Sequence, residues 1–90
     1  MAAPKTVPYP HIVRNPEILA GEPTIRGTRI AVRNIVEAAR YTPNIEDLWA
    51  DYPTATREAI AEALSFYVHH RDEIDAYIAD NEAAMTADDW

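Results

Sequence analysis

The chain of 90 residues contains no cysteine, only two glycines and no long apolar run. Without cysteine it can form no disulfide, no thiolate zinc site and no cysteine nucleophile. Two glycines are too few for a flexible glycine-rich linker or a glycine-rich phosphate-binding loop. No segment approaches the roughly 18 consecutive apolar residues of a membrane-spanning helix, and the first twelve residues lack the apolar run of a signal peptide. We therefore expect a cytoplasmic protein.

The length and composition indicate one small globular domain. Hydrophobic residues make up 48% of the chain and charged residues 26%, as in ordinary folded proteins. A domain of this size buries about 60% of the surface of its unfolded chain, so association with a second copy would add stability. We predict an extended N-terminal arm over residues 1–10, a folded domain over 11–70, and an acidic helical extension with a frayed tail over 71–90.

The net charge of −7 is unevenly distributed. Residues 1–45 carry a net charge of +3, whereas residues 46–90 carry two arginines and twelve carboxylates, a net charge of −10. This asymmetry indicates two surfaces with different partners. A solvated acidic helical face would explain the second half equally well.

Short β-prone segments occupy the first third of the chain. Residues 12–13 form an apolar pair that can join a strand, and Gly27-Thr28 separates the segments 24–26 and 29–31. A two-residue link that begins with glycine between β-prone segments predicts a β-hairpin, with Gly27 at a position of positive φ.

Apolar residues then recur at the helical spacing i, i+3, i+4, i+7 from residue 32 to residue 78. Pro43 and Pro53 divide this stretch into three helices, of which the middle one is short. Asn44 and Thr56 precede the second and third helices and are typical N-cap residues. The predicted fold class is mainly α with a small N-terminal β-hairpin: a three-helix, helix-turn-helix-like domain with a C-terminal helical extension.

No group of residues indicates catalysis, a cofactor or a metal site. Ser65 lies within a helix without a glycine elbow around it. His69 and His70 are adjacent, hence about 100° apart on a helix, and cannot bind one metal together. We therefore expect no enzymatic activity and no cofactor, with neither catalytic nor metal-binding residues.

One basic cluster stands out in this acidic chain. It consists of Arg26, Arg29, Arg33 and Arg40. Arginine side chains suit phosphate oxygens and guanine edges, so we predict a DNA-binding surface here. The alternative is ion pairing within the chain, for example between Arg33 and Glu37. The third helix itself offers Arg57 among glutamates, which makes it a weak DNA reader.

Beyond the third helix, an apolar stripe continues at helical spacing among acidic residues. It consists of Ile74, Tyr77 and Ile78, with Arg71 before it and Trp90 after it. We expect the stripe to have no partner within a three-helix core, and we predict that these five residues bind a protein partner, as an amphipathic helix does in a groove. The alternative is that the segment packs back on its own domain or on a second copy.

The run GEPTIRGTRIAV, residues 21–32, resembles the bacterial and archaeal family called domain of unknown function four-three-three. The residues that carry the resemblance are Gly21, Pro23, Ile25, Gly27, Thr28 and Arg29. Tyr52-Pro53 at the end of the second helix and Ala63, Leu64 and Tyr67 in the third helix also resemble the family. The resemblance covers roughly residues 11–78.

The resemblance implies a helix-turn-helix-like domain that is often encoded beside a PIN-like ribonuclease toxin. By analogy, the protein is expected to be the antitoxin of a type II toxin–antitoxin pair, to form a homodimer and to bind its own operator DNA. Because carboxylates complement a basic groove, we expect the acidic extension to block the toxin's RNA path rather than its metal-binding acids. The alternatives are a protein-interaction adaptor without DNA binding and a small regulator without a toxin.

Overall fold

A computed structural model describes residues 9–88, and the side chains of residues 9–82. Two short strands, β1 (Ile12–Arg14) and β2 (Pro23–Ile25), precede four helices. The helices are α1 (Val32–Tyr41), α2 (Ile45–Ala50), α3 (Arg57–His69) and α4 (Arg71–Asp88). The predicted fold class, mainly helical with a small N-terminal β-hairpin, is confirmed.

The hairpin is antiparallel, with Ile12 opposite Ile25. Its partner strands differ from the predicted pair, because the segment 29–31 contributes only an isolated bridge between Ala31 and Thr24. The physical reason is that α1 begins at the next residue, so the chain leaves the sheet as soon as it has made that bridge. Strand β1 therefore becomes the partner of β2.

The turn after β2 has the predicted backbone. Gly27 adopts a φ of +78°, which a residue with a Cβ adopts only with strain. The Thr28 hydroxyl donates to the carbonyl oxygen of Ile25 at 2.8 Å and accepts from the Ile30 amide at 3.0 Å. These bonds fix the turn on which the neighbouring arginines lie.

Side-chain caps begin the second and third helices, as predicted. Asn44 Oδ1 accepts from the amides of Glu46 at 2.9 Å and Asp47 at 3.3 Å. Thr56 Oγ1 accepts from the amide of Ala59 at 3.1 Å. The caps satisfy first-turn amides that have no partner inside their own helix.

One hydrophobic core joins the hairpin to all four helices. Its largest fully buried aliphatic side chains come from four different helices and are Ile35, Leu48, Ile60 and Ile74. Ile12 and Ile25 close the core from the hairpin side. The hairpin is therefore held in place by the helices and not by its few ladder hydrogen bonds alone.

The first half of α4 belongs to this core. Ile74 is fully buried, Ile78 is 3% exposed, and Tyr77 packs against the core. The expectation that this stripe has no partner within the chain is therefore wrong. The physical reason is that α2 has only six residues and leaves much of α1 uncovered, so α4 packs on α1 and α3 instead. The boundary predicted at residue 70 runs through a single core.

Replacing Ile74 by alanine tests this arrangement. We expect Ile74→Ala to lower the free energy of unfolding by about 2–5 kcal/mol, because it leaves a cavity in the core. Truncation after His70 should abolish the cooperative unfolding transition in urea. Asp80→Ala, at an exposed position of the same helix, is the control and should change stability little. A truncated chain as stable as the full one would contradict the assignment of α4 to the core.

Candidate functional site

The four arginines of the predicted DNA-binding cluster lie on the turn after β2 and on α1. Arg26 and Arg29 are exposed on the turn, Arg33 lies in the first turn of the helix, and Arg40 lies in its last. Arg33 and Arg40 are separated by about 10 Å along the helix axis. The fold therefore distributes the cluster along the turn and one helix.

Arg33 is occupied within the protein. Its Nε lies 2.7 Å from Glu22 Oε1, and its Nη1 lies 3.9 Å from Glu37 Oε1. The Arg33 and Glu22 side chains are only 15% and 9% exposed. Burial raises the pKa of Glu22, and the positive charge of Arg33 opposes that rise. Ion pairing within the chain thus describes Arg33 better than contact with phosphate. If Arg33 moved to a phosphate group, the buried carboxylate of Glu22 would lose its partner.

The other three arginines remain accessible. The Nε of Arg26 donates to the carbonyl oxygen of Pro10 at 3.0 Å, which orients a side chain that is otherwise exposed. Within the described part of the chain, Arg29 and Arg40 form no hydrogen bond or ion pair. Of the predicted cluster, these three arginines have no carboxylate partner among the described residues.

A shallow cavity of about 610 Å³ adjoins Arg29. It is lined by Ile18, Thr28, Ile30 and Thr54, together with Gly27 and Arg29 itself. The Arg29 guanidinium and the Thr54 hydroxyl beside an apolar floor suit the phosphate and sugar of a nucleic-acid backbone, whereas the Thr28 hydroxyl is already bonded within the turn. The arrangement carries no set of groups that would distinguish one base from another.

Helix α3 follows the turn where a helix-turn-helix protein has its recognition helix, but its exposed face does not suit DNA. That face carries Glu58, Ala61, Ser65 and Val68, and its Arg57 is paired with Glu46. Base recognition in the major groove requires hydrogen-bonding side chains at these positions. The exposed arginines are suited to phosphate contacts, which position a protein on a nucleic acid without reading its sequence.

A second polar network, which the sequence did not reveal, joins β1 to α4. Arg14 donates to both carboxylate oxygens of Glu73, one at 2.9 Å, and the Tyr77 hydroxyl donates to Glu73 at 3.3 Å. The Arg14 guanidinium holds the pKa of Glu73 below its usual value. Because Arg14 and Glu73 lie 59 residues apart, no local spacing signals the pair.

The predicted partner-binding residues are separated by the fold. Ile74 and Ile78 are buried and Tyr77 is half-buried, so none of them is an exposed anchor. Arg71 is exposed, and its guanidinium lies 5.3 Å from the centre of the Tyr67 ring. Trp90 lies outside the described residues. The exposed carboxylates of α4, Asp72, Asp80 and Glu82, form its outer surface instead.

The three histidines lie where residues 9–11 meet α3 and the start of α4. His11 Nδ1 lies 3.1 Å from Glu62 Oε1, and the Tyr9 hydroxyl is 2.7 Å from His69 Nδ1. The His70 ring stacks on Phe66 with 4.0 Å between ring centres. Over residues 9–88, no group of three potential ligands could hold a metal ion, and no helix could cross a membrane.

Comparisons with known proteins agree with this fold. The family described as "Protein of unknown function (DUF433)" matches residues 12–67, a segment that ends before α4. The crystal structure of a DUF433 member protein from Anabaena variabilis ATCC 29413 is similar, with 32% sequence identity and a TM-score of 0.70. The match covers 77% of this chain and 68% of the other. No curated protein sequence matches the chain.

The Arg33–Glu22 ion pair predicts that the stability of an Arg33 variant depends on pH. We expect Arg33→Met to destabilise the fold by about 3 kcal/mol at neutral pH, because Glu22 is left buried without its partner. Burial raises the pKa of Glu22 above its ordinary value of 4.5. The destabilisation caused by its buried charge is therefore absent below pH 4.5 and grows as the pH rises through the pKa of Glu22 in the folded state.

Urea unfolding of Arg33→Met at several pH values checks this expectation. The defect should shrink toward acid pH, where Glu22 becomes protonated. Adding Glu22→Gln should restore most of the stability at neutral pH, since it removes the stranded charge. A defect of equal size at all pH values in the single variant would contradict the role of Arg33.

Proposed function

Since this chain belongs to the DUF433 family, whose description states no function, we propose its function from its own charges and surfaces. We propose that it is a cytoplasmic antitoxin of a type II toxin–antitoxin pair. It neutralises a PIN-like ribonuclease toxin and, as a homodimer, binds its own operator DNA. The observation that carries this proposal is the separation of accessible arginines, on the turn after β2 and at the end of α1, from exposed carboxylates along α4.

Toxin binding is assigned to the outer half of α4 and the residues that follow it. The helix has 18 residues and is about 27 Å long. Ile78 is its last core residue among the described side chains, and Ala79, Asp80 and Glu82 after it are exposed. Their carboxylates complement a basic RNA-binding groove and speed the encounter with it. Trp90 would serve as the terminal anchor, and Arg71 would lie at the base of the helix.

DNA binding is assigned to Arg26, Arg29 and Arg40. Arg33 is excluded because Glu22 and Glu37 neutralise it. A dimer would present six arginines to phosphate groups, which supports binding that depends strongly on salt. The acidic face of α3 stays away from the DNA in this arrangement.

The second candidate function is a protein-interaction adaptor without DNA binding. The observation that favours it is the exposed face of α3, which carries acidic and apolar residues where a DNA reader needs polar and basic ones. A small regulator without a toxin is the third candidate. None of the three involves catalysis, a cofactor or a metal.

Truncation after Glu82 tests the toxin-binding surface. We expect the shortened chain to keep its fold, because Ile74 and Ile78 remain, and to lose inhibition of the ribonuclease encoded beside it. Trp90→Ala should weaken inhibition in part, as the loss of an aromatic anchor does. Tyr41→Ala removes an 87% exposed aromatic from α1 and is the matched control, expected to inhibit normally. Full inhibition by the truncated chain would place the toxin surface elsewhere.

The salt dependence of operator binding tests the arginine assignment. Six phosphate contacts predict that log affinity falls against log salt concentration with a slope of about −5. Arg29→Ala removes two contacts per dimer and should reduce the magnitude of the slope by roughly 2. Arg57→Ala, which removes an exposed arginine already paired with Glu46, is the control and should leave the slope unchanged. If the wild-type protein fails to shift the operator even at low salt, the adaptor function is favoured.

A further inference from the structure

An open cavity lies beside Trp49 at the end of α2. It has a volume of about 370 Å³ and is lined by Glu46, Trp49, Ala50 and Pro53. Glu46 and Ala50 lie one turn apart on α2, and Pro53 follows the helix, so one face of α2 and the turn after it build the cavity. All four lining residues are exposed, Trp49 to 40%.

The indole ring of Trp49 is held in place by the turn that follows α2. Its Nε1 donates to the carbonyl oxygen of Ala55 at 2.9 Å, and Ala55 is buried. In the same turn, the amide of Ala55 donates to the carbonyl oxygen of Tyr52 at 3.0 Å. Because the indole N–H already has a partner, the part of Trp49 left for another molecule is its aromatic carbon surface. A ring fixed in this way loses little side-chain entropy when it binds.

Carboxylates outnumber cations in the segment that builds the cavity. Residues 45–58 contain four carboxylates and one cation, a net charge of −3, and all five side chains are exposed. The cation, Arg57, donates from Nε to Glu46 Oε1 and is therefore already paired. Within residues 9–82, the other three carboxylates form no ion pair; they are Asp47, Asp51 and Glu58. Their charges favour a cation near the cavity.

We propose that this cavity binds an arginine side chain of a protein partner, with the guanidinium group on the Trp49 ring and beside Glu46. A guanidinium group is planar and always charged, and it stacks on aromatic rings. A carboxylate has about four lone-pair positions, so Glu46 can accept from this arginine as well as from Arg57. Ala50 and Pro53 offer apolar surface to the methylene groups of the arginine stem.

Charge complementarity selects a basic protein segment among the possible occupants. A nucleic acid would bring phosphate groups toward the carboxylates of residues 45–58, which repel them. A second copy of the chain would bring the same acidic surface, because a two-fold interface pairs each surface with itself. A basic segment avoids both kinds of repulsion. Tryptophan and arginine are also the residues most enriched where binding energy is concentrated in protein interfaces.

This site on α2 is separate from the surfaces that the proposed function uses on α4 and on the turn after β2. The test therefore uses a peptide instead of a toxin or an operator. The probe is a capped peptide in which arginine alternates with leucine, titrated into the full chain by calorimetry. We expect saturable binding of one peptide per chain. The same peptide with citrulline in place of arginine has a similar shape but no charge, and it should bind at least about fivefold more weakly.

The fluorescence of Trp49 locates the bound peptide. The chain has two tryptophans, so Trp90→Phe leaves Trp49 as the only one. Its emission should change as the peptide saturates the protein, because the guanidinium group replaces water on the ring. Saturable binding without any change in this emission would overturn the proposal, since the peptide would then lie on another surface.

Two pairs of variants separate contact in the cavity from attraction to an acidic protein in general. Ala50→Lys places a cation in the cavity and should raise the dissociation constant more than about tenfold. Ala76→Lys adds the same charge at an exposed position of α4 and should bind like the wild type. Glu46→Gln removes the lining carboxylate and should weaken binding about threefold or more. Asp72→Asn makes the same change of charge at the start of α4 and should not.

Circular dichroism should show all four variants folded. The proposal is overturned if the arginine peptide does not bind, if the citrulline peptide binds equally well, or if Ala50→Lys and Ala76→Lys bind alike. Sedimentation equilibrium of the chain alone tests the competing occupant. A self-association that Ala50→Lys abolishes and Ala76→Lys preserves would assign the cavity to a second copy and contradict the proposal.

Discussion

The burial of Ile74 and Ile78 against α1 and α3 is the contact on which the rest of the structure depends. Each buried isoleucine contributes about 1.5–3 kcal/mol relative to exposure, a large share of the stability of a small domain. Within residues 9–88, α3 and α4 both pack on α1, whereas α2 has only six residues. The contact also fixes the N-terminal half of α4 against the domain. The core therefore sets the direction of the rest of the helix.

Two ion pairs complete this arrangement and determine which charges remain for partners. Arg33 pairs with Glu22 and Arg14 with Glu73, which ties the hairpin to α1 and to α4. Breaking the Arg33–Glu22 pair is costly because both side chains are largely buried, whereas the Arg14–Glu73 pair is partly exposed and contributes less. They also pair two arginines of the chain with carboxylates. The arginines of the predicted cluster that have no carboxylate partner among the described residues lie on the turn after β2 and at the end of α1.

The resulting molecule has three chemically distinct exposed surfaces. The turn after β2 is basic, the outer part of α4 is acidic, and the exposed face of α3 carries acidic and apolar residues. A helix-turn-helix protein that reads bases would have its polar residues on α3. Here the exposed face of that helix carries acidic and apolar residues instead, so the topology alone does not decide the function.

Local interactions are what the sequence by itself determined. The caps at Asn44 and Thr56, the positive φ of Gly27 and the helical periodicity all involve residues within four positions of each other, so the sequence predicts them directly. Only the tertiary structure decided that β1 pairs with β2, that Arg33 is neutralised and that Ile74 lies in the core. These depend on which surfaces remain uncovered after the helices pack. Contacts such as Arg14 with Glu73, 59 residues apart, leave no periodic pattern along the chain.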